Sequence, residues 1–426
     1  MSTQPGLAFE QAPPFSLPLR FFLTAPLFLI AAAILIAIYP DALASRWTPQ
    51  ALALTHALTL GFLAMVMLGA MLQMLPVVAG SPLPAPRLVA RASHIALSLG
   101  TIALMAGFLL AAPKAFGAGV ILLLAAFAVF IIAASISLMR AVSGVTVSGM
   151  RYAVLSLALT VVLGIALALL RAGWWSVSID GASAAHVGFG LLGWILLLVA
   201  GVAYQVVPMF QMTPPYPPRL SRWLAGAMFA LLVLRAFAPL SAPTVLLVID
   251  AGLAIGVLTF AIATLRLQSR RRRKLPDITL DYWRTGMASL IACVLAWLLA
   301  QFWPAWAHSN AYPLLLGVLF LFGFAVSVVA GMLYKIVPFL AWFHLQAQLQ
   351  ARAGTIPNMK QMIDEKNMRW QLRLHLAALA LLVAAVAWPN ALHIPAGIVF
   401  ALSALMLLSN LSAALRRFQQ HGGRLA

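Results

Sequence analysis

Few residues in this chain can bind a metal or hold a charge in apolar surroundings, and their types narrow the chemistry. His56 stands in Thr55-His56-Ala57-Leu58-Thr59-Leu60-Gly61, and His186 in Ala185-His186-Val187-Gly188. A neutral imidazole there is a ligand for haem iron or copper, or an ordinary histidine bonded to a carbonyl or water. His94 and His375 each follow an arginine, Arg91 and Arg373, and suit a second site or polar residues snorkelling to an interface. His308, His344, His393 and His421 have weaker claims, and His344 is read as lying beyond the end of its span. Arg235 and Asp250 flank a tight turn between two apolar runs, so they can meet as an ion pair; Arg235 could instead contact a haem propionate or an anionic substrate. Gln73, Gln205 and Lys335 are polar residues in apolar runs, and Lys335 has no obvious acid near it. Met65, Met67, Met71, Met74, Met209 and Met212 are soft enough for copper, although methionine more often fills cores. The single cysteine, Cys293, excludes internal disulfides and Cys-based zinc or iron–sulfur sites. No phosphate-binding loop, HExxH or catalytic triad is present.

The elements that must position these residues are membrane helices. Of 426 residues 64% are hydrophobic and 8% charged, which excludes a water-soluble enzyme. A helix of roughly 20 apolar residues crosses a bilayer. Twelve such runs are read, near 20–40, 51–79, 88–112, 116–140, 149–171, 182–210, 220–240, 243–268, 284–307, 312–340, 369–388 and 393–415. They form a single membrane domain over 20–415, with tails at 1–19 and 416–426 and a polar loop at 341–368. The polar 1–19 segment carries Glu10 and is not expected to be a removable signal peptide.

The net charge of +19 suggests nucleic acid until the cations are placed. With the N-terminus inside, all but five of the 27 Lys and Arg fall on cytoplasmic segments, among them the run 270–274, Arg352 and Arg417. Arg46, Lys114 and Arg171 lie outside; Arg235 and Lys335 lie within spans. This is the positive-inside bias of a multi-pass protein of the inner (cytoplasmic) membrane with both termini in the cytoplasm, its partner the lipid bilayer and not nucleic acid.

An internal repeat runs through the spans. Gly61-x7-Gly69-x3-Gln73-x2-Pro76 in the second matches Gly193-x7-Gly201-x3-Gln205-x2-Pro208 in the sixth and Gly323-x7-Gly331-x3-Lys335-x2-Pro338 in the tenth, at offsets of 132 and 130 residues. Glycines eight apart lie about 80° from one another on an α-helix and open a strip for close approach. Each proline should kink or end its helix. Four spans per repeat predict three four-helix arcs with pseudo-threefold symmetry, the matched spans lining their inner side.

Twelve spans in three arcs, with His56 opening the second, resemble subunit I of the haem–copper oxidases. Pro18-Leu19-Arg20-Phe21-Phe22-Leu23 and His56-x4-Gly61 also resemble the NnrS-type family of haem- and copper-containing membrane proteins linked to the nitric oxide response. The resemblance implies haem b, with copper as a further expectation, His56 as an axial ligand, His186 as the second candidate, and a c-type cytochrome or other respiratory component as partner. The departures are specific. The seventh span has no histidine, nor has the tenth between Tyr312 and Leu340; Gly190 stands where a tyrosine would follow His186, and Ala57 replaces an acidic residue. The expected role is therefore redox or nitric oxide response without the usual oxygen-reducing binuclear centre. A cofactor-free secondary transporter, or a structural or assembly component of a membrane complex, is the alternative.

Overall fold

The computed structural model describes residues 9–176, 181–238, 241–272, 275–349 and 356–425. Among these residues all regular structure is helical, and twelve helices are long and apolar enough to cross a membrane. They are α1 Ser16–Ile38, α2 Pro49–Val78, α3 Pro86–Leu109, α4 Pro113–Arg140, α5 Val145–Arg171, α6 Ala182–Gln211, α7 Pro218–Phe237, α8 Pro243–Ser269, α9 Ile278–Phe302, α10 Ala311–Leu349, α11 Glu365–Ala387 and α12 Pro389–Gln420. The chain is a multi-pass helical membrane protein, the architecture that satisfies backbone hydrogen bonds inside lipid.

Helix starts follow local chemistry. Proline occupies the first position of α2, α3, α4, α7, α8 and α12, where its missing N–H costs nothing. Thr48 caps α2 by accepting from the Ala51 N–H, and Asp277 caps α9 by accepting from the Thr279 N–H. Most helices start a few residues before the apolar runs do, among them α11 at Glu365 and, by the widest margin, α9 at Ile278. Arg284, Lys366, Arg369 and Arg373 thus belong to opening turns. The tenth helix does not stop near 340 but reaches Leu349. Residues 341–349 hold no proline or glycine and favour helix, so His344 is a helical residue. The rest of the 341–368 segment includes a 3₁₀ turn, Met359–Gln361, closed by a capping box from Asn358. Residues 1–8, Leu240, Arg273, Lys274 and Arg352 lie outside the described residues.

The chain divides into two compact units. The first comprises Met1–Pro13, Met71–Ala96 and Val120–Leu275, and so holds α5 to α8; the second comprises Pro14–Ala70, Leu97–Gly119 and Pro276–Ala426, and holds α1 and α9 to α12.

The repeat has a structural counterpart in each matched helix. A π-helical stretch occupies Ala57–Ala64 of α2, Phe189–Leu196 of α6 and Val318–Val326 of α10, each containing the first glycine of its pair. A π-helix turns with roughly 4.4 residues instead of 3.6, so half the path between the paired glycines is wound more loosely. Their separation around the axis shrinks from about 80° to roughly 10°. Both glycines then face one neighbour. Gly61 and Gly69 meet Phe28 and Phe21 of α1; Gly193 and Gly201 meet Ser156 and Gly149 of α5; Gly323 and Gly331 meet Ser289 and Tyr282 of α9. At all six glycines a Cβ would come within 3.0 Å of that neighbour. The neighbour presents residues seven apart, about 20° from alignment on an α-helix, so a seven-residue spacing packs antiparallel to an eight-residue one.

The glycine strip is therefore filled by the preceding helix of the same repeat. The prolines do not end their helices: Pro76, Pro208 and Pro338 are internal. The three matched helices are also the most enclosed, with 78%, 61% and 72% of their most apolar window buried against at most 56% elsewhere.

Candidate functional site

His186 sits in the first turns of α6, three residues before the π stretch. Facing it, α5 carries small residues at one-turn spacing: Ser156 lies under Gly193, Thr160 under Gly190 and Gly164 under His186. The imidazole covers Gly164, where a Cβ would stand 3.0 Å from its Cε1. Its Nδ1 lies 3.0 Å from the Thr160 carbonyl oxygen. A carbonyl only accepts, so Nδ1 carries the proton and the lone pair of the neutral ring is on Nε2. Nε2 makes no hydrogen bond among the described residues. A ring held across a helix interface by Nδ1, with Nε2 as its donor atom, is how metal-ligating histidines are oriented.

His56 ends the α-helical opening of α2, immediately before the π stretch. Its Nδ1 donates to the Leu52 carbonyl at 2.8 Å, giving the same tautomer, and its half-buried ring lies 5.5 Å from Phe108 of α3. This bond to the residue four earlier recurs in His308, His393 and His421, so it does not single His56 out. The cross-helix bond of His186 is the more specific arrangement.

Both intramembrane cations are paired. Arg235 Nε donates to Asp250 Oδ1 at 2.9 Å across the α7–α8 hairpin, with side chains 26% and 31% exposed. The reading that Lys335 lacks an acid is corrected: its Nζ lies 2.9 Å from Asp277 Oδ2, while Asp277 Oδ1 accepts from the Thr279 N–H and Oγ1. One carboxylate serves as helix cap and counter-ion together. Asp277 was legible as a cap in Asp277-Ile278-Thr279, but 58 residues separate it from Lys335. Gln73 is buried with Oε1 unpartnered among the described residues, and Gln205 is half-buried.

Sequence reasoning missed a polar network inside the second unit. Gln371 Oε1 of α11 accepts from the hydroxyls of Tyr282 (α9) and Tyr334 (α10). Gln371 Nε2 donates to Ser403 Oγ of α12 at 3.0 Å, and Asn410 Nδ2 of α12 donates to the Tyr334 hydroxyl at 2.9 Å. All five residues are buried. His375 belongs beside them and is not a snorkelling residue. It is 2% exposed, stacks on Phe322 at 4.5 Å, and its Nε2 lies 2.7 Å from Ser327 Oγ, which itself bonds the Phe322 carbonyl in the π stretch. Such a satisfied network fixes four helices in one register. In the first unit, Tyr204 takes the place of Tyr334 by repeat spacing. It packs edge-on against Tyr216 at 5.1 Å, whose hydroxyl bonds Thr264 Oγ1 at 2.8 Å; burial pushes the Tyr216 phenol pKa up, so it keeps its proton.

His344 stacks on Phe15 at 5.5 Å. Met65, Met67 and Met71 are core residues, whereas Met209 and Met212 are 40% and 46% exposed. Among the described residues no three His, Cys, Asp or Glu side chains gather as a metal site. Haem brings four nitrogens of its own and needs one or two imidazoles, a requirement that His56 and His186 each fit. No protein-family model matches the chain, and no curated protein matches it in sequence.

Proposed function

We propose that this chain is a haem b protein of the inner membrane, with a redox or nitric-oxide-response role and no oxygen-reducing binuclear centre. The observation that carries the reading is His186: its Nδ1 is held by the Thr160 carbonyl, which leaves the ligand lone pair on Nε2. His56 has the same tautomer and the position that the oxidase-like resemblance assigns to an axial ligand, so each histidine is proposed as an iron ligand. Bound haem would supply one-electron chemistry or capture of a diatomic gas. The protein's part is to fix the two rings, through Leu52, Thr160 and Gly164, and to keep water from them with apolar helices. Arg235 already neutralises Asp250, so a propionate contact would have to use the guanidinium nitrogens other than Nε. The three π-stretched helices support a three-arc arrangement with pseudo-threefold symmetry, the Lys and Arg distribution supports cytoplasmic termini, and a c-type cytochrome is the proposed electron partner.

The test is the visible spectrum of the detergent-purified protein. A Soret band is expected, with haem lost or its coordination spectrum altered in His56→Ala or in His186→Ala. His421→Ala is the control, because His344 packs on Phe15 and its loss would disturb folding. Full haem with an unaltered spectrum in both variants would reject the ligand assignment. A wild-type protein without haem would move the reading to a cofactor-free transporter or structural component.

A further inference from the structure

The opening of α11 presents a charged face that neither the fold nor the proposed haem site uses. Lys366, Arg369, Trp370 and Arg373 follow one another at helical spacing on a single exposed side, and with Glu365 they line a recess of about 490 Å³. Glu365 is engaged by Arg369 as an ion pair one turn apart. Lys366 and Arg373 have no carboxylate partner among the described residues; Arg373 lies over the Trp370 ring at 4.7 Å. Past Arg373 the same side continues as Leu376, Ala377 and Ala380, all exposed, and apolar with a low profile. Two uncompensated cations, an indole at their level and a shallow apolar strip running deeper into the helix form the outline of one lipid, head first and then acyl chain.

We propose that this face holds an anionic phospholipid, its phosphate between Lys366 and Arg373 and an acyl chain along Leu376, Ala377 and Ala380. Trp370 stands at the headgroup level, where tryptophan is favoured at bilayers, and holds Arg373 by its ring. A zwitterionic lipid offers the same chain but cancels the phosphate charge, so the face selects for net negative headgroups.

Delipidated protein in nanodiscs of phosphatidylcholine, titrated with phosphatidylglycerol and read by native mass spectrometry of retained lipid, tests this. Phosphatidylglycerol should be retained preferentially. Lys366→Gln and Arg373→Gln should each weaken retention about five-fold, and the double variant roughly twenty-five-fold. Lys366→Arg should retain the lipid, and Arg46→Gln with Lys114→Gln, which removes the same charge at the opposite helix ends, should leave retention unchanged. Equal retention of both lipids, equal loss in the Arg46/Lys114 control, or displacement by millimolar inorganic phosphate would overturn the proposal. The last result would mark a soluble-anion site. Because every substituted side chain is exposed, a variant that fails to elute as a monodisperse peak would itself contradict the surface role assigned to it.

Discussion

Gly149 and Gly201 are the places where α5 and α6 approach most closely through backbone, and alanine there tests the repeat's packing logic. A Cβ on Gly149 would stand 2.6 Å from Gly201 Cα; one on Gly201 would stand 3.0 Å from Gly149 Cα and 3.2 Å from its carbonyl carbon. Non-bonded carbons rest at about 3.5–4.0 Å, so the helices must part by about 1 Å or bend. No side chain can rotate away, because the obstacles are main-chain atoms. Overpacking of this kind costs about 1–3 kcal/mol, and the better helix propensity of alanine returns at most about 1 kcal/mol. A net loss of about 1–2 kcal/mol is expected in each variant. Gly317→Ala is the opposite case. That glycine is helical and a Cβ on it would meet nothing within 4 Å, so propensity alone should stabilise by about 0.5–1 kcal/mol. The assay is size-exclusion of detergent-solubilised protein after a temperature ramp, read as the midpoint of monodisperse-peak loss. The expected order is Gly317→Ala above wild type, with Gly149→Ala and Gly201→Ala below it. Alanine variants at 149 and 201 that melt at or above wild type would refute the close crossing, and with it the role given to the π stretches.

Two further variants probe the polar interior. Arg235→Leu should destabilise by about 1–3 kcal/mol, since it strands Asp250 in low dielectric, whereas Arg235→Leu with Asp250→Leu should melt nearer wild type; equal melting of single and double variants would argue against a structural pair. Gln371→Leu removes the acceptor of the Tyr282 hydroxyl and the donor to Ser403, so it should cost about 2–4 kcal/mol, against about 1–2 kcal/mol for Tyr334→Phe, where Tyr282 still bonds Gln371. Thermal midpoints in that reverse order would show that Gln371 is not the hub of the network.

The twelve helices were legible because lipid makes a local demand: each crossing needs its own apolar run, and each run can be counted without knowing its neighbours. Arg235 and Asp250 were readable for a similar reason, since a short hairpin brings both sides of one turn together. The glycine pairs were visible as a spacing, but not what they touch. On an ideal helix they point about 80° apart, and only the π stretches, which no residue in Ala57–Ala64 or its counterparts announces, turn both toward one neighbour.

Tertiary structure decided the rest, because it depends on which distant side chains share a small volume. Lys335 looked unpaired until the start of α9 brought Asp277 within 2.9 Å. His375 looked interfacial until α9, α10 and α12 closed around it and Gln371. His186 was one histidine among eight until Thr160 and Gly164 of α5 fixed its ring and its tautomer. The sequence by itself determined the number of crossings and the repeat, because hydropathy acts residue by residue against the bilayer. Packing, pairing and proton placement came only with the fold, because each requires two helices to meet at a register that neither helix specifies alone.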